Sequence, residues 1–121
     1  MTEKRNTKQY DLEERTLCFA HKVREFVKKL PKTLANIEDS RQLVDASGSV
    51  GANYIEANEA LSKKDFLMRI KICRKEAKES RYWLRLVDTG GNNKLEHERE
   101  SLESEANELT HIFGSIVTKS G

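Results

Sequence analysis

Five cations recur at alternating spacings of three and four along one stretch of this chain: Lys71, Arg74, Lys78, Arg81 and Arg85. On an α-helix this spacing gathers them into an arc of about 80°, with successive charges roughly 5 Å apart along the axis. Such a rail can follow the phosphates of a nucleic acid without reading its bases, so the chemistry it implies is polyanion binding. A plainer reading stands beside it. Lys and Arg are good formers of exposed helix, and an acidic neighbour could neutralise the rail within or between subunits.

Other residues that carry chemistry are sparse. Glu108-Leu109-Thr110-His111 has the Glu-x-x-His spacing of di-iron bundles, but those sites use the motif on two helices plus two further inward carboxylates, and the chain holds one copy. His21, His97 and His111 lie apart, no Cys-x-x-Cys occurs, and Gly48-Ser49-Val50-Gly51 lacks the strand and the lysine of a phosphate loop. The expectation is therefore a non-enzymatic protein with no catalytic residues, no metal and no cofactor. Asn53, Glu56, Glu76 and Glu79 form a second polar set. Glu76 falls inside an apolar helical sector and needs a partner there. These four residues, with nearby Arg or Lys, read as a structural polar network, with a ligand site as the alternative. No RNA-recognition motif, zinc finger or aromatic stacking platform stands out.

Four segments must position these groups. Leu12, Thr16, Phe19, Val23, Phe26 and Leu30 repeat at helical spacing over about 11–30, and Pro31 stops that helix. A second runs over about 37–61 with a seam of Leu43, Ser47, Val50, Tyr54, Ala57 and Leu61. Its centre, Ala46 to Asn53, contains two glycines among small residues, which calls for close approach of a neighbouring helix or a bend. Ser62 caps a third helix over about 63–88, whose core seam is Phe66, Ile70, Cys73, Ala77, Ser80, Leu84 and Val87. Thr89-Gly90-Gly91-Asn92-Asn93 breaks the chain before a fourth over about 94–118. The economical architecture is all-α: an antiparallel up-down-up-down four-helix bundle over residues 10–119, preceded by a flexible tail at 1–9.

Charge is sorted along the chain. Residues 63 to 85 hold nine Lys or Arg against Asp65, Glu76 and Glu79, a net of +6, while residues 86 to 121 carry a net of −4. Opposite potentials on separate faces favour a polyanion partner or attraction between subunits. Met68, Ile72, Trp83 and Leu86 widen the apolar arc of the third helix beyond one seam, which implies a second buried face and an oligomer contact. Trp83 capping the monomer core is the alternative. No stretch approaches the roughly 20 apolar residues of a membrane span and no apolar leader follows Met1, so a cytoplasmic protein with Cys18 and Cys73 as reduced thiols is expected.

Gly51-Ala52-Asn53-Tyr54-Ile55-Glu56-Ala57, then Ser62-Lys63-Lys64-Asp65-Phe66 and Arg69 to Ser80, resembles the bacterial four-helix proteins encoded in intervening sequences of 23S ribosomal RNA genes. The resemblance runs from about Tyr10 to Thr118. It implies a four-helix protomer assembling as a ring-like homopentamer. A related branch, the accessory variability proteins of diversity-generating retroelements, is similar in fold, and there a basic pentamer surface binds nucleic acid and a reverse transcriptase. Asn53 and Glu56 match the family's Asn-Ile-x-Glu-Gly, with Tyr54 and Ala57 departing. Arg74 and Glu79 match its third-helix pattern, with Cys73, Lys75 and Glu76 departing.

The function expected is an oligomeric accessory protein that binds RNA or DNA backbone through the third-helix rail. The alternative is a structural homo-oligomer that recruits a polymerase or other protein without touching nucleic acid. Neighbouring genes would separate the two.

Overall fold

The computed structural model describes residues 11–120; the expected tail at 1–9 lies outside the described residues. Four helices follow one another: α1 (Leu12–Lys28), α2 (Leu34–Asn58), α3 (Lys63–Leu86) and α4 (Asn93–Ser120). Among the described residues there is no strand. Each start has a side-chain acceptor for an orphan amide. Asp11 accepts from Glu14 N, Thr33 from Asn36 N, Ser62 from Asp65 N, and Asn92 from Leu95 N. The reversal before α4 uses Gly90 at φ 69° and Gly91 at φ 77°, the left-handed region that glycine enters without strain.

The helices pack as neighbours in the cyclic order α1, α2, α3, α4, and across the core Tyr54 of α2 meets Phe113 of α4 with ring centroids 5.8 Å apart. Cross-helix bonds show each neighbour running antiparallel to the last. Lys29 at the end of α1 reaches Glu98 near the start of α4, whereas Arg15 at the start of α1 reaches Glu105 and Glu108 further along it. The core is filled by Phe19, Phe26, Leu43, Ile70, Leu84 and Phe113, each fully buried. Every such side chain contributes about 1.5–3 kcal/mol relative to exposure, set against the entropy of ordering the chain. The small-residue stretch of α2 faces α1, with Gly48 beside Arg24 and Gly51 beside Thr16.

Several expected bounds are corrected. The seam of α2 does not reach Leu61, which is 98% exposed. The helix ends at Asn58, so Leu61 falls in the reversal before the Ser62 cap, outside any helical register. At its other end α2 begins at Leu34, three residues before Ile37. Thr33 is the signal for that start. Buried Asn36 then joins the α1/α2 connection to the end of α3: its amide donates to Pro31 O at 2.9 Å and Asp88 O at 2.8 Å, and its oxygen accepts from Asp88 N at 2.9 Å. Helices α1 and α3 likewise stop two residues short of the expected ends.

Candidate functional site

Where α3 packs on α4, an open groove of about 730 Å³ runs along the seam. One wall is Arg74, Lys78, Arg81, Tyr82 and Arg85 from α3; the other is drawn from α4, including Asn107, Thr110, His111, Gly114 and Ser115. Helical spacing of three and four brings the α3 cations to this wall, while Ile70, Cys73, Ala77 and Leu84 turn inward and anchor the helix. Gly114 widens the groove. A β-carbon there would lie 3.7 Å from Arg74 Cδ, so the aliphatic stem of Arg74 passes over a position with no side chain.

The rail is electrostatically divided. Glu103 of α4 accepts from Arg81 Nε at 3.4 Å, stands 3.7 Å from Arg85 Nε, and takes Arg99 Nη1 at 3.4 Å on its other oxygen. One carboxylate thus faces three guanidiniums. Arg74 and Lys78 have no carboxylate within ion-pair distance among the described residues, and Lys71 is exposed but lies outside the groove lining. Positive potential therefore concentrates at the Arg74 and Lys78 end. On the α4 wall, Thr110 Oγ1 donates to Ala106 O at 2.8 Å, so its hydroxyl proton is committed to its own helix. His111 Nδ1–H donates to Asn107 O at 2.8 Å, because a carbonyl can only accept.

Sequence reasoning missed Tyr82 and the α4 wall. Tyr82 is an exposed aromatic lining the groove. Its signal was available: it stands four residues after Lys78, so it shares that residue's side of α3. The α4 wall had no such signal, since its contribution depends on which face α4 turns toward α3.

The expected polar network is split. Asn53 Oδ1 accepts from Arg69 Nη1 at 3.1 Å, linking α2 to α3. Glu76 and Glu79 instead share Lys75, at 3.6 and 3.8 Å, and Glu56 is exposed. Glu56 follows Asn53 by three residues, a rotation of about 60° that carries it past the α3 contact into solvent. Glu76 reaches the rim and pairs with its own neighbour. The Glu-x-x-His pair is also divided, for Glu108 accepts from Arg15 Nη2 at 2.7 Å while His111 lines the groove. Among the described residues no three His, Cys, Asp or Glu side chains are placed to hold a metal ion.

Of the apolar face of α3, Met68 and Leu86 are about half exposed and Ile72 is partly buried. Trp83 packs against the bundle core while meeting Tyr82 edge-on, with ring centroids 5.0 Å apart. Cys18 is exposed and Cys73 buried, and neither is bonded to another cysteine. Burial pushes the Cys73 thiol up to about 12. No helix among the described residues is long and apolar enough to cross a membrane.

No curated protein matches the chain. A solved structure from Bacteroides thetaiotaomicron VPI-5482, described as a protein of unknown function from the S23 ribosomal protein family, is similar to it. The two share 30% identity over 87% of this chain and 96% of that one, with a TM-score of 0.74. The family model for the 23S rRNA-intervening sequence protein matches residues 8–115. Together with the four-helix bundle, that match shows that the chain belongs to the 23S rRNA-intervening sequence protein family.

Proposed function

We propose that this protein is a non-enzymatic, cytoplasmic accessory protein that binds nucleic-acid backbone along the α3/α4 groove. The supporting observation is the open groove itself, with Arg74 and Lys78 free of carboxylate partners among the described residues and Arg81 and Arg85 sharing one. Lys71 extends the rail beyond the groove. Guanidiniums and ammoniums at one-turn intervals bind phosphates through counterion release, so affinity falls steeply with salt and depends little on sequence. The protomer assembles as a ring, a homopentamer, through the α3 face that holds Met68, Ile72, Trp83 and Leu86. Repetition of the groove around a ring turns a weak contact into a strong one by avidity.

The test is retention of RNA and of DNA at low salt by wild type and by an Arg74→Gln, Lys78→Gln, Arg81→Gln triple variant. The triple variant is expected to lose most binding while light scattering shows an unchanged assembly. A second reading is favoured by Glu103, which neutralises part of the rail from within the bundle. In that reading the ring recruits a protein partner, a polymerase being one class, without touching nucleic acid. Equal binding by the triple variant, or no binding by wild type, selects it. A stable monomer at micromolar concentration removes the ring.

A further inference from the structure

We infer that the α3/α4 groove takes single-stranded nucleic acid in preference to duplex, with one base stacked on Tyr82 and the neighbouring phosphates on Arg74 and Lys78. This rests on the nucleic-acid reading of the groove and narrows it. Tyr82 is 56% exposed and lines the groove, so part of its ring is open to a ligand there. Its orientation is supported. Trp83 meets it edge-on at 5.0 Å and 76°, and Trp83 itself packs on the core, so Tyr82 is backed by an anchored neighbour. Lys78 lies one turn before it and Arg85 three residues after, which places a cation on either side of the ring along the helix.

That alternation of aromatic face and cation is what a single strand needs, since each unpaired base has a free face and each sugar is flanked by phosphates. A duplex keeps its bases stacked inside and offers Tyr82 nothing. On the α4 wall, Asn107 and Ser115 place an amide and a hydroxyl along the groove for base edges or sugar hydroxyls, whereas the Thr110 proton is already used.

The experiment is fluorescence anisotropy at low salt with the full chain and three labelled probes of matched length: oligo(U), oligo(dT) and a mixed-sequence duplex. Both single strands are expected to bind more tightly than the duplex. Tyr82→Ala should weaken the strands by about 5-fold to about 100-fold and leave the duplex unchanged, and Tyr82→Phe should restore strand binding. A duplex bound as tightly as the strands, or Tyr82→Ala equal to wild type on the strands, overturns the preference while the nucleic-acid reading stands. Failure of all three probes to bind removes that reading instead. If Tyr82→Ala does not fold, photocrosslinking of a 5-iodouridine strand to wild-type protein decides. An adduct on Tyr82 supports the inference, and adducts only elsewhere overturn it.

Discussion

Gly51 of α2 lies so close to Thr16 of α1 that a β-carbon on Gly51 would fall 2.8 Å from the Thr16 hydroxyl oxygen and 3.2 Å from its Cβ. The hydroxyl cannot swing away freely. It is fully buried and donates within α1, 2.7 Å from Leu12 O and 3.1 Å from Glu13 O. A glycine in mid-helix is about 1 kcal/mol worse than alanine on propensity alone, and the helix-to-helix approach is what offsets it.

Gly51→Leu is therefore expected to overpack the α1/α2 contact and destabilise the protein by about 1–3 kcal/mol or more in urea unfolding. Gly51→Ala should also lose stability despite its better propensity, and less so in a Thr16→Ala background, where the nearest atom is gone. An unchanged midpoint for Gly51→Leu would show that α1 can retreat without loss.

Glu103→Gln should strengthen nucleic-acid binding. The substitution frees Arg81 and Arg85 from their shared carboxylate, while Arg99 keeps its pairing with Glu96. Titrations over a salt series are expected to steepen by about one phosphate contact. Unchanged or weaker affinity in a variant that folds normally would mean that the Arg81 and Arg85 end is not part of the binding surface.

Acid stability carries the mark of Glu96. Its hydrogen bond with Arg99 holds the carboxyl below the ordinary glutamate range, with the Thr89 hydroxyl adding to the effect. A carboxyl depressed in the folded state stabilises above its unfolded value, about pH 4.3, and that contribution is lost as pH falls through this value toward the folded one. Chemical unfolding followed across this window should show Glu96→Gln with a shallower loss than wild type. Parallel curves would assign the acid limb to other carboxylates.

The two cysteines should separate by reactivity. Cys18 is exposed, whereas Cys73 is buried in the core with its thiol pushed up to about 12, which leaves almost no thiolate at neutral pH. A disulfide-exchange reagent is expected to titrate one thiol in native protein and two in denaturant. Rapid reaction of both in the native state would mean that the α3 seam opens readily.

Much of the bundle was legible because helical periodicity is local. The seams of α1 and α3 repeat at three and four, and Leu12 to Leu30 and Ile70 to Val87 are buried as that spacing requires. Ser62 and the Gly90-Gly91 reversal were readable for the same reason, since capping and positive φ are decided within a few residues. Leu61 was misplaced because an apolar residue continued the period past the true helix end, whereas α2 was begun three residues late, at Ile37, although the Thr33 cap marks its start.

By itself the sequence determined four amphipathic helices, their order, and a third helix with one apolar and one cationic side. Only the tertiary structure decided what those sides meet. Asn36 finds Asp88 across 52 residues, Arg69 finds Asn53, and Glu103 comes to stand among Arg81, Arg85 and Arg99. Hydrophobic burial orients each helix about its axis through local spacing, but the partner of a polar side chain depends on the rotation and register of a neighbouring helix, which packing of the whole core sets. The rail was therefore visible in the chain, and the groove that Tyr82 and α4 make of it was not.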